Sequence, residues 1–361
     1  MTTITDVKLT DEQQAALDYC ADSPHNVVTL GGFGGTGKST LVAQLIKRLP
    51  SFAVCAYTGK AANVLRRKGI AGASTIHSLI YKPVDLGDGD VHFELRGEEE
   101  MTCCGFIVDE ASMVSREVDR DLQSFGMPII YVGDHGQLEP ISAAGTEPFN
   151  LMSSPHVTLE TIHRNAGPIA WFAEHLRRGG SAMGWRQPDG TEDVVDVLRA
   201  QDMHKVDITG ADQIVCAYNK TRCEINAAVR ECLGLPTGTP SVGDRVICLQ
   251  NDRELGLFNG MQGRITAIDP KRRLLSFADE DDRPHTSIRY SPEAFGAERT
   301  PKRASGIIPF DWAYCVTCHK MQGSEADDVL VLEQTCAAWD MRRWCYTAAS
   351  RAKRRLTWIT P

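Results

Sequence analysis

The sequence predicts an α/β protein of two parallel-sheet units, with a short β-hairpin inserted in the first and a small β-barrel inserted in the second. Three observations predict it. Apolar, β-branched runs of strand length alternate with amphipathic segments of helical length in both halves of the chain, the pattern of successive βαβ crossovers. A glycine cluster, Gly31-Gly32-Phe33-Gly34-Gly35-Thr36-Gly37, joins the first apolar run to the first long helical segment. From Pro236 the texture changes to short runs at residues 243–248, 263–268 and 274–277, separated by turn residues, which reads as a small antiparallel barrel. The predicted boundaries are 1–160 for the first unit, with its hairpin at about 81–101, then 161–236 plus 301–361 for the second, with the barrel at 237–300.

The first helix begins at Thr10, an N-cap with Gln13 three residues on, which makes a capping box. Gln13 is explained by that cap alone; a glutamine reading an adenine edge is the other reading of it. The strand from Val27 then enters Gly32–Ser39, which fits G-x-x-x-x-G-K-[ST]. In that motif Gly32, Gly34, Gly35, Thr36 and Gly37 offer backbone N–H groups to phosphates. Lys38 reaches the β- and γ-phosphates, and Ser39, followed by Thr40, puts a hydroxyl on Mg²⁺. The context is the required one: Leu41, Val42, Leu45, Ile46 and Leu49 line one helical face before Pro50 stops it. The segment implies a nucleoside triphosphate site, with the helix N-terminus adding partial positive charge.

The second strand, from Phe52, ends at Thr58-Gly59-Lys60 and opens another helix; Ser74-Thr75-Ile76-His77 repeats that pattern. Each pair reads equally as a helix cap or as a grip on nucleic-acid phosphates. Within 81–101, Val91-His92-Phe93-Glu94-Leu95 alternates as one strand of a hairpin, with Phe93 as packing or as an aromatic tip for bases. Phe106-Ile107-Val108-Asp109-Glu110 is an apolar strand ending in two carboxylates. Burying such a pair without a cation costs several kcal/mol, so Asp109 is assigned to Mg²⁺ and Glu110 to the attacking water. A further strand ends in Gly133-Asp134 with Gln137 close behind, a neutral group able to donate and accept beside a γ-phosphate. Residues 179–205, rich in Gly, Asp and Gln, read as irregular. The second α/β unit starts at Ile214 and resumes at Trp312, after the barrel.

Composition bounds the rest. With 42% apolar and 24% charged residues, and without an apolar run of eighteen, the chain reads as an ordinary globular protein with no membrane span. The N-terminus has none of the charge and apolar pattern of a signal peptide, so the twelve cysteines read as reduced thiols of a cytoplasmic protein. Cys315-x-x-Cys318-His319 lacks a second Cys/His pair at zinc spacing. A net charge of −8 argues against wholesale capture of nucleic acid, although residues 301–361 carry nine Lys/Arg against six Asp/Glu.

The order Gln13; Gly32–Ser39; Thr58-Gly59-Lys60; Asp109-Glu110; Gly133-Asp134 with Gln137; Arg164; Thr317 with His319-Lys320 and Gln322-Gly323; Arg351 resembles the superfamily 1 helicases, and within them the RecD-like and Dda-like 1B group. The resemblance implies two RecA-like domains with ATP in the cleft between them, an SH3-like barrel, a pin on the hairpin, and 5′→3′ movement on single-stranded DNA. It implies that Gln13 contacts adenine, that Lys38, Glu110 and Gln137 serve hydrolysis, and that Arg164 and Arg351 reach the γ-phosphate. It also implies that Thr58, Lys60, Thr75, His77, Thr317, His319 and Lys320 grip DNA, with Phe93 on the pin. Implied partners are tailed or forked duplexes and replication or recombination proteins, in a bacterial or phage-infected cell, with the chain acting as a monomer. A protein-remodelling P-loop ATPase and a viral-type RNA helicase are the competing readings.

Overall fold

A computed structural model describes residues 8–85, 91–140, 149–162, 167–187, 194–252, 255–301, 306–335 and 339–361. The chain divides into two compact units, Met1–Ala166 and Gly167–Pro361.

Unit 1 runs α1 (Asp11–Asp22), β1 (Val27–Gly32), α2 (Lys38–Arg48), β2 (Phe52–Ala56), α3 (Gly59–Arg67), β3 (Ser74–Thr75), α4 (Ile76–Ile80), β4 (Tyr81–Asp85), β5 (Val91–Leu95), β6 (Gly105–Asp109), α5 (Arg116–Gln123), β7 (Ile129–Gly133) and β8 (Val157–Leu159). Six of the strands form a parallel sheet in the order β3-β2-β6-β7-β1-β8. Both faces of this sheet are covered, which is why its strands read as unbroken apolar runs. Ile107, Ile130 and Val132 pack with Leu41, Leu45 and Leu65 on one face. Their neighbours Phe106, Val108, Ile129 and Tyr131 pack with Ile76, Val118 and Leu122 on the other. Strands β4 and β5 pair antiparallel as a separate hairpin, with Pro83 opposite Phe93.

Unit 2 runs α6 (Gly167–Arg177), β9 (Val194–Arg199), β10 (Gln213–Cys216), α7 (Asn219–Cys232), β11 (Arg245–Cys248), β12 (Gln262–Asp269), β13 (Leu274–Asp279), β14 (Pro284–Ser291), β15 (Ile308–Trp312), β16 (Cys315–Thr317), α8 (Cys318–Met321), β17 (Ala326–Leu332), α9 (Met341–Ala349) and β18 (Ala352–Thr360). Its parallel sheet has the order β16-β10-β17-β18-β9, and β11 to β15 close into a barrel. Barrel and sheet share one core, in which Val246, Phe277, Phe310 and Trp312 meet Ile214, Cys216 and Leu330.

Two expectations need correcting. The stretch read as irregular contains β9, which pairs in parallel with β18 at the sheet edge. An edge strand buries only part of one face, so Val194-Val195-Asp196-Val197-Leu198 carries too weak a pattern to stand out. The barrel's fifth strand, Ile308–Trp312, lies beyond residue 300. Every residue of it is buried, so it reads as a sheet strand and gives no alternation by which to assign it to a barrel. Among the described residues no helix is long and apolar enough to cross a membrane.

Candidate nucleotide and nucleic-acid sites

The glycine loop follows β1 directly into α2. A Cβ on Gly32 would stand 2.7 Å from Thr36 Oγ1 and 3.2 Å from Lys38 Cγ, so only glycine lets the loop close this tightly. Gly37, at φ 89°, turns the chain into α2 through the left-handed region. Thr36 Oγ1 donates to Phe33 O at 2.8 Å. Lys38 Nζ curls over the loop, donating to Gly32 O at 2.7 Å and Phe33 O at 3.0 Å. Gln13 serves two ends. Its Oε1 accepts from Thr10 N at 3.1 Å, completing the capping box, and its Nε2 donates to Thr36 O at 3.0 Å. One buried side chain thus joins the cap of α1 to the glycine loop.

The acids stand at the carboxyl ends of the two neighbouring strands. Asp134, after β7, lies with Oδ2 3.7 Å from Lys38 Nζ, and the same oxygen accepts from Gln137 Nε2 at 3.3 Å. Its Oδ1 takes the Gly136 amide at 3.0 Å, and Ser112 Oγ bonds both its amide and its carbonyl at 3.0 Å. Asp134 thus joins Lys38 to Gln137. Asp109 ends β6; burial raises its pKa, against the Glu110 amide bonded to Oδ1 at 3.0 Å and the charges of Lys38 and Lys68. Lys68 Nζ also donates to Ser39 Oγ at 2.9 Å, so the cation that acts on Asp109 is bonded to Ser39. A hydroxyl and a carboxylate are the hard oxygen donors that suit Mg²⁺. Glu110 follows at φ 55°, a left-handed conformation that side chains rarely adopt and that clusters at functional positions.

Two further predicted pairs of unit 1 stand at the ends of the next strands of the same edge. Thr58, after β2, caps α3 by accepting from Ala61 N at 3.1 Å, with Lys60 in the first turn. Thr75, ending β3, caps α4 by accepting from Ser78 N at 3.1 Å. His77 is exposed, its ring 4.8 Å from that of Tyr81. The carboxyl edge therefore carries, in sheet order, Thr75, Thr58, Asp109, Asp134 and the glycine loop, on the side where open α/β sheets bind ligands. Phe93 is 41% exposed on the hairpin. Arg164 lies outside the described residues.

In unit 2, Thr317 ends β16, and α8 presents His319 and Lys320. Lys320 Nζ donates to Asn259 Oδ1 of the barrel at 2.8 Å. Burial holds the His319 imidazole below its ordinary pKa. Arg351 is buried between α9 and β18, donating to Thr347 O at 3.0 Å, Ser324 O at 3.2 Å and Ser350 Oγ at 2.8 Å. Cys315 and Cys318 are buried thiols with raised pKa, and among the described residues no three His, Cys, Asp or Glu side chains gather as a metal site. Sequence reasoning left Asp134, Ser112 and Lys68 without a role; of these only Asp134 had a signal, an acid just after an apolar strand.

Residues 8–196 match the AAA domain family, and residues 312–359 match the UvrD-like helicase C-terminal domain. The chain is 29% identical to the ATP-dependent RecD2 DNA helicase of Deinococcus radiodurans over 376 aligned positions, covering 96% of this chain and 48% of that protein. It is 26% identical to the RecBCD enzyme subunit RecD of Mycolicibacterium smegmatis, covering 96% and 70%. The chain thus spans about half the length of the RecD2 relative. Its fold is similar to that of Bacteroides Pif1 bound to single-stranded DNA, with a TM-score of 0.61 and 21% identity, over 98% of this chain and 92% of that one.

Proposed function

Because the chain belongs to the AAA domain family and, on its ordered motifs, to the RecD-like and Dda-like superfamily 1B helicases, we propose that it is an ATP-driven motor that moves 5′→3′ on single-stranded DNA and separates duplex ahead of it. The observation that carries this is the carboxyl edge of the first sheet, where phosphate chemistry on β1, β7 and β6 continues into the cap residues of β2 and β3. The relatives support it: RecD2 is named an ATP-dependent DNA helicase, and a Pif1 of this fold has been solved with ADP-AlF3 and single-stranded DNA.

In this reading Lys38 exchanges its two carbonyl partners for the β- and γ-phosphates, held in line by Asp134. Glu110 accepts a proton from the attacking water, and Gln137 holds that water or the γ-phosphate through its amide. Mg²⁺ on Ser39 and Asp109 would supply neutralisation of phosphate charge. Gln13 meets the adenine, and Arg351 of unit 2 and Arg164 add cations as the γ-phosphoryl leaves. Thr58, Lys60, Thr75, His77, Thr317, His319 and Lys320 hold the strand, and Phe93 meets the fork. Natural partners would be tailed or forked duplexes and the proteins of replication or recombination.

The test is the steady-state ATPase rate alone and with single-stranded DNA, single-stranded RNA or duplex DNA. Strong stimulation by single-stranded DNA, absent in Lys38→Ala, is expected. A rate indifferent to every nucleic acid would replace the motor with a protein-remodelling ATPase, and a preference for RNA would replace its track.

A further inference from the structure

Three aromatic rings outside the nucleotide chemistry gather over the second sheet. Tyr218 follows β10, His319 follows β16, and Trp339 follows β17; these strands are neighbours in the order β16-β10-β17. The rings therefore share the carboxyl edge, where an open parallel sheet meets its ligand. Tyr218 and Trp339 lie nearly parallel, with centroids 6.0 Å apart and planes at 24°. The Trp339 ring meets His319 edge-on at 4.9 Å and 63°. The Tyr218 ring is tied down by hydrogen bonds, and the Trp339 ring lies between it and His319. The Tyr218 hydroxyl donates to Thr335 O at 2.6 Å, the Ala217 amide donates to Gln334 Oε1 at 3.0 Å, and Gln334 Nε2 donates to Thr221 Oγ1 at 2.8 Å. These bonds fasten Gln334 and Thr335, just after β17, to the start of α7. Yet Tyr218 is 39% exposed, where an aromatic serving only the core would be covered. Two lysines neighbour these residues along the chain: Lys320, bonded to Asn259, follows His319, and Lys220, with a 75% exposed side chain 3.9 Å from Glu224, stands two residues after Tyr218 in the first turn of α7.

We infer that Tyr218 and Trp339 form a stacking platform for an unpaired nucleobase, with Lys320 and Lys220 set for the phosphates on either side. Every base has a π-face, and aromatic stacking on it is indifferent to sequence, whereas in a duplex that face is already covered by its neighbours. The platform therefore selects single-stranded over paired nucleic acid and reads no sequence. This inference rests on the motor reading, because a protein-remodelling ATPase has no base to stack.

The experiment compares binding of a labelled oligothymidylate with binding of an abasic oligonucleotide of equal length, by fluorescence anisotropy across a salt series. For the unmodified chain the bases should add affinity over the abasic strand. Trp339→Leu, which keeps apolar bulk against Tyr218 and His319 but has no ring, should weaken oligothymidylate binding about tenfold. It should leave abasic binding and the salt slope as they were, since no phosphate contact is lost. Trp339→Phe should restore most of the loss. Equal weakening on both strands, or none on oligothymidylate, would overturn the platform. An unmodified chain that binds neither strand would overturn the motor reading itself.

Discussion

Glu110 occupies a position that an L-residue adopts at a cost of order 1–3 kcal/mol, in a chain whose described residues include few such side chains outside turns. Asp109 before it ends the strand and accepts the Glu110 amide. The proposed reading gives Asp109 the cation and Glu110 the water. Glu110→Gln keeps the shape but cannot take a proton, so kcat should fall by about 10²–10⁴-fold while nucleotide affinity stays within a few-fold. Single-turnover hydrolysis and equilibrium binding of a fluorescent nucleotide measure the two, and an unchanged kcat would remove Glu110 from the chemistry. Lys38, Ser39, Asp109 and Glu110 could be read from spacing because each depends on its immediate neighbours along the chain. The link through Asp134 could not: Lys38 and Asp134 are brought within 3.7 Å only by the pairing of β1 with β7. Lys68, at the far end of α3, reaches Ser39 by the same kind of tertiary accident of sequence.

At the scale of elements, legibility followed burial. Strands covered on both faces announced themselves, as β6 and β7 did. Strands with one wet face or a proline did not, and β4, Tyr-Lys-Pro-Val-Asp, is such a case. It could be placed only through its partner β5, whose alternation was visible. The hairpin they make is anchored at its root, where the Tyr81 hydroxyl donates to Asp121 and the Tyr81 ring lies against His77. The motor reading proposed above puts Phe93, exposed opposite Pro83 on this hairpin, against the first base pair of the duplex. Phe93→Ala should therefore slow strand separation on a tailed duplex several-fold while leaving DNA-stimulated ATPase nearly intact. Measured side by side, an equal fall in both would assign Phe93 to packing. The barrel is tied in differently, through the buried Arg230–Asp244 pair at 2.9 Å and the Tyr314 hydroxyl on Asp244 at 3.0 Å. These bonds join α7 and the strand-connecting segment at Tyr314 to the entry of β11, contacts that no local pattern in the sequence reveals.

For the molecule as a whole, the proposal requires that a group carried by unit 2 act on chemistry carried by unit 1, and Arg351 is the sharpest test of it. Only its place in the ordered series marked this arginine in the sequence; nothing in Ser350-Arg351-Ala352 alone separates it from a surface residue. In the structure its guanidinium is buried and donates three hydrogen bonds inside its own unit. A purely structural arginine would leave turnover intact when replaced by a residue that keeps the fold. An arginine that stabilises charge on the leaving γ-phosphoryl group contributes about 10³-fold or more to kcat, and contributes little to ground-state binding. Arg351→Ala should thus bind nucleotide within a few-fold of the unmodified chain and lose turnover by that factor, in the presence of saturating single-stranded DNA. Arg351→Lys should keep the charge and part of the hydrogen bonding but not the planar fork, and so recover the unfolding midpoint more fully than the rate. If both variants turn over normally once folded, Arg351 belongs to the scaffold of unit 2, and the cation for the γ-phosphate must come from elsewhere in the chain.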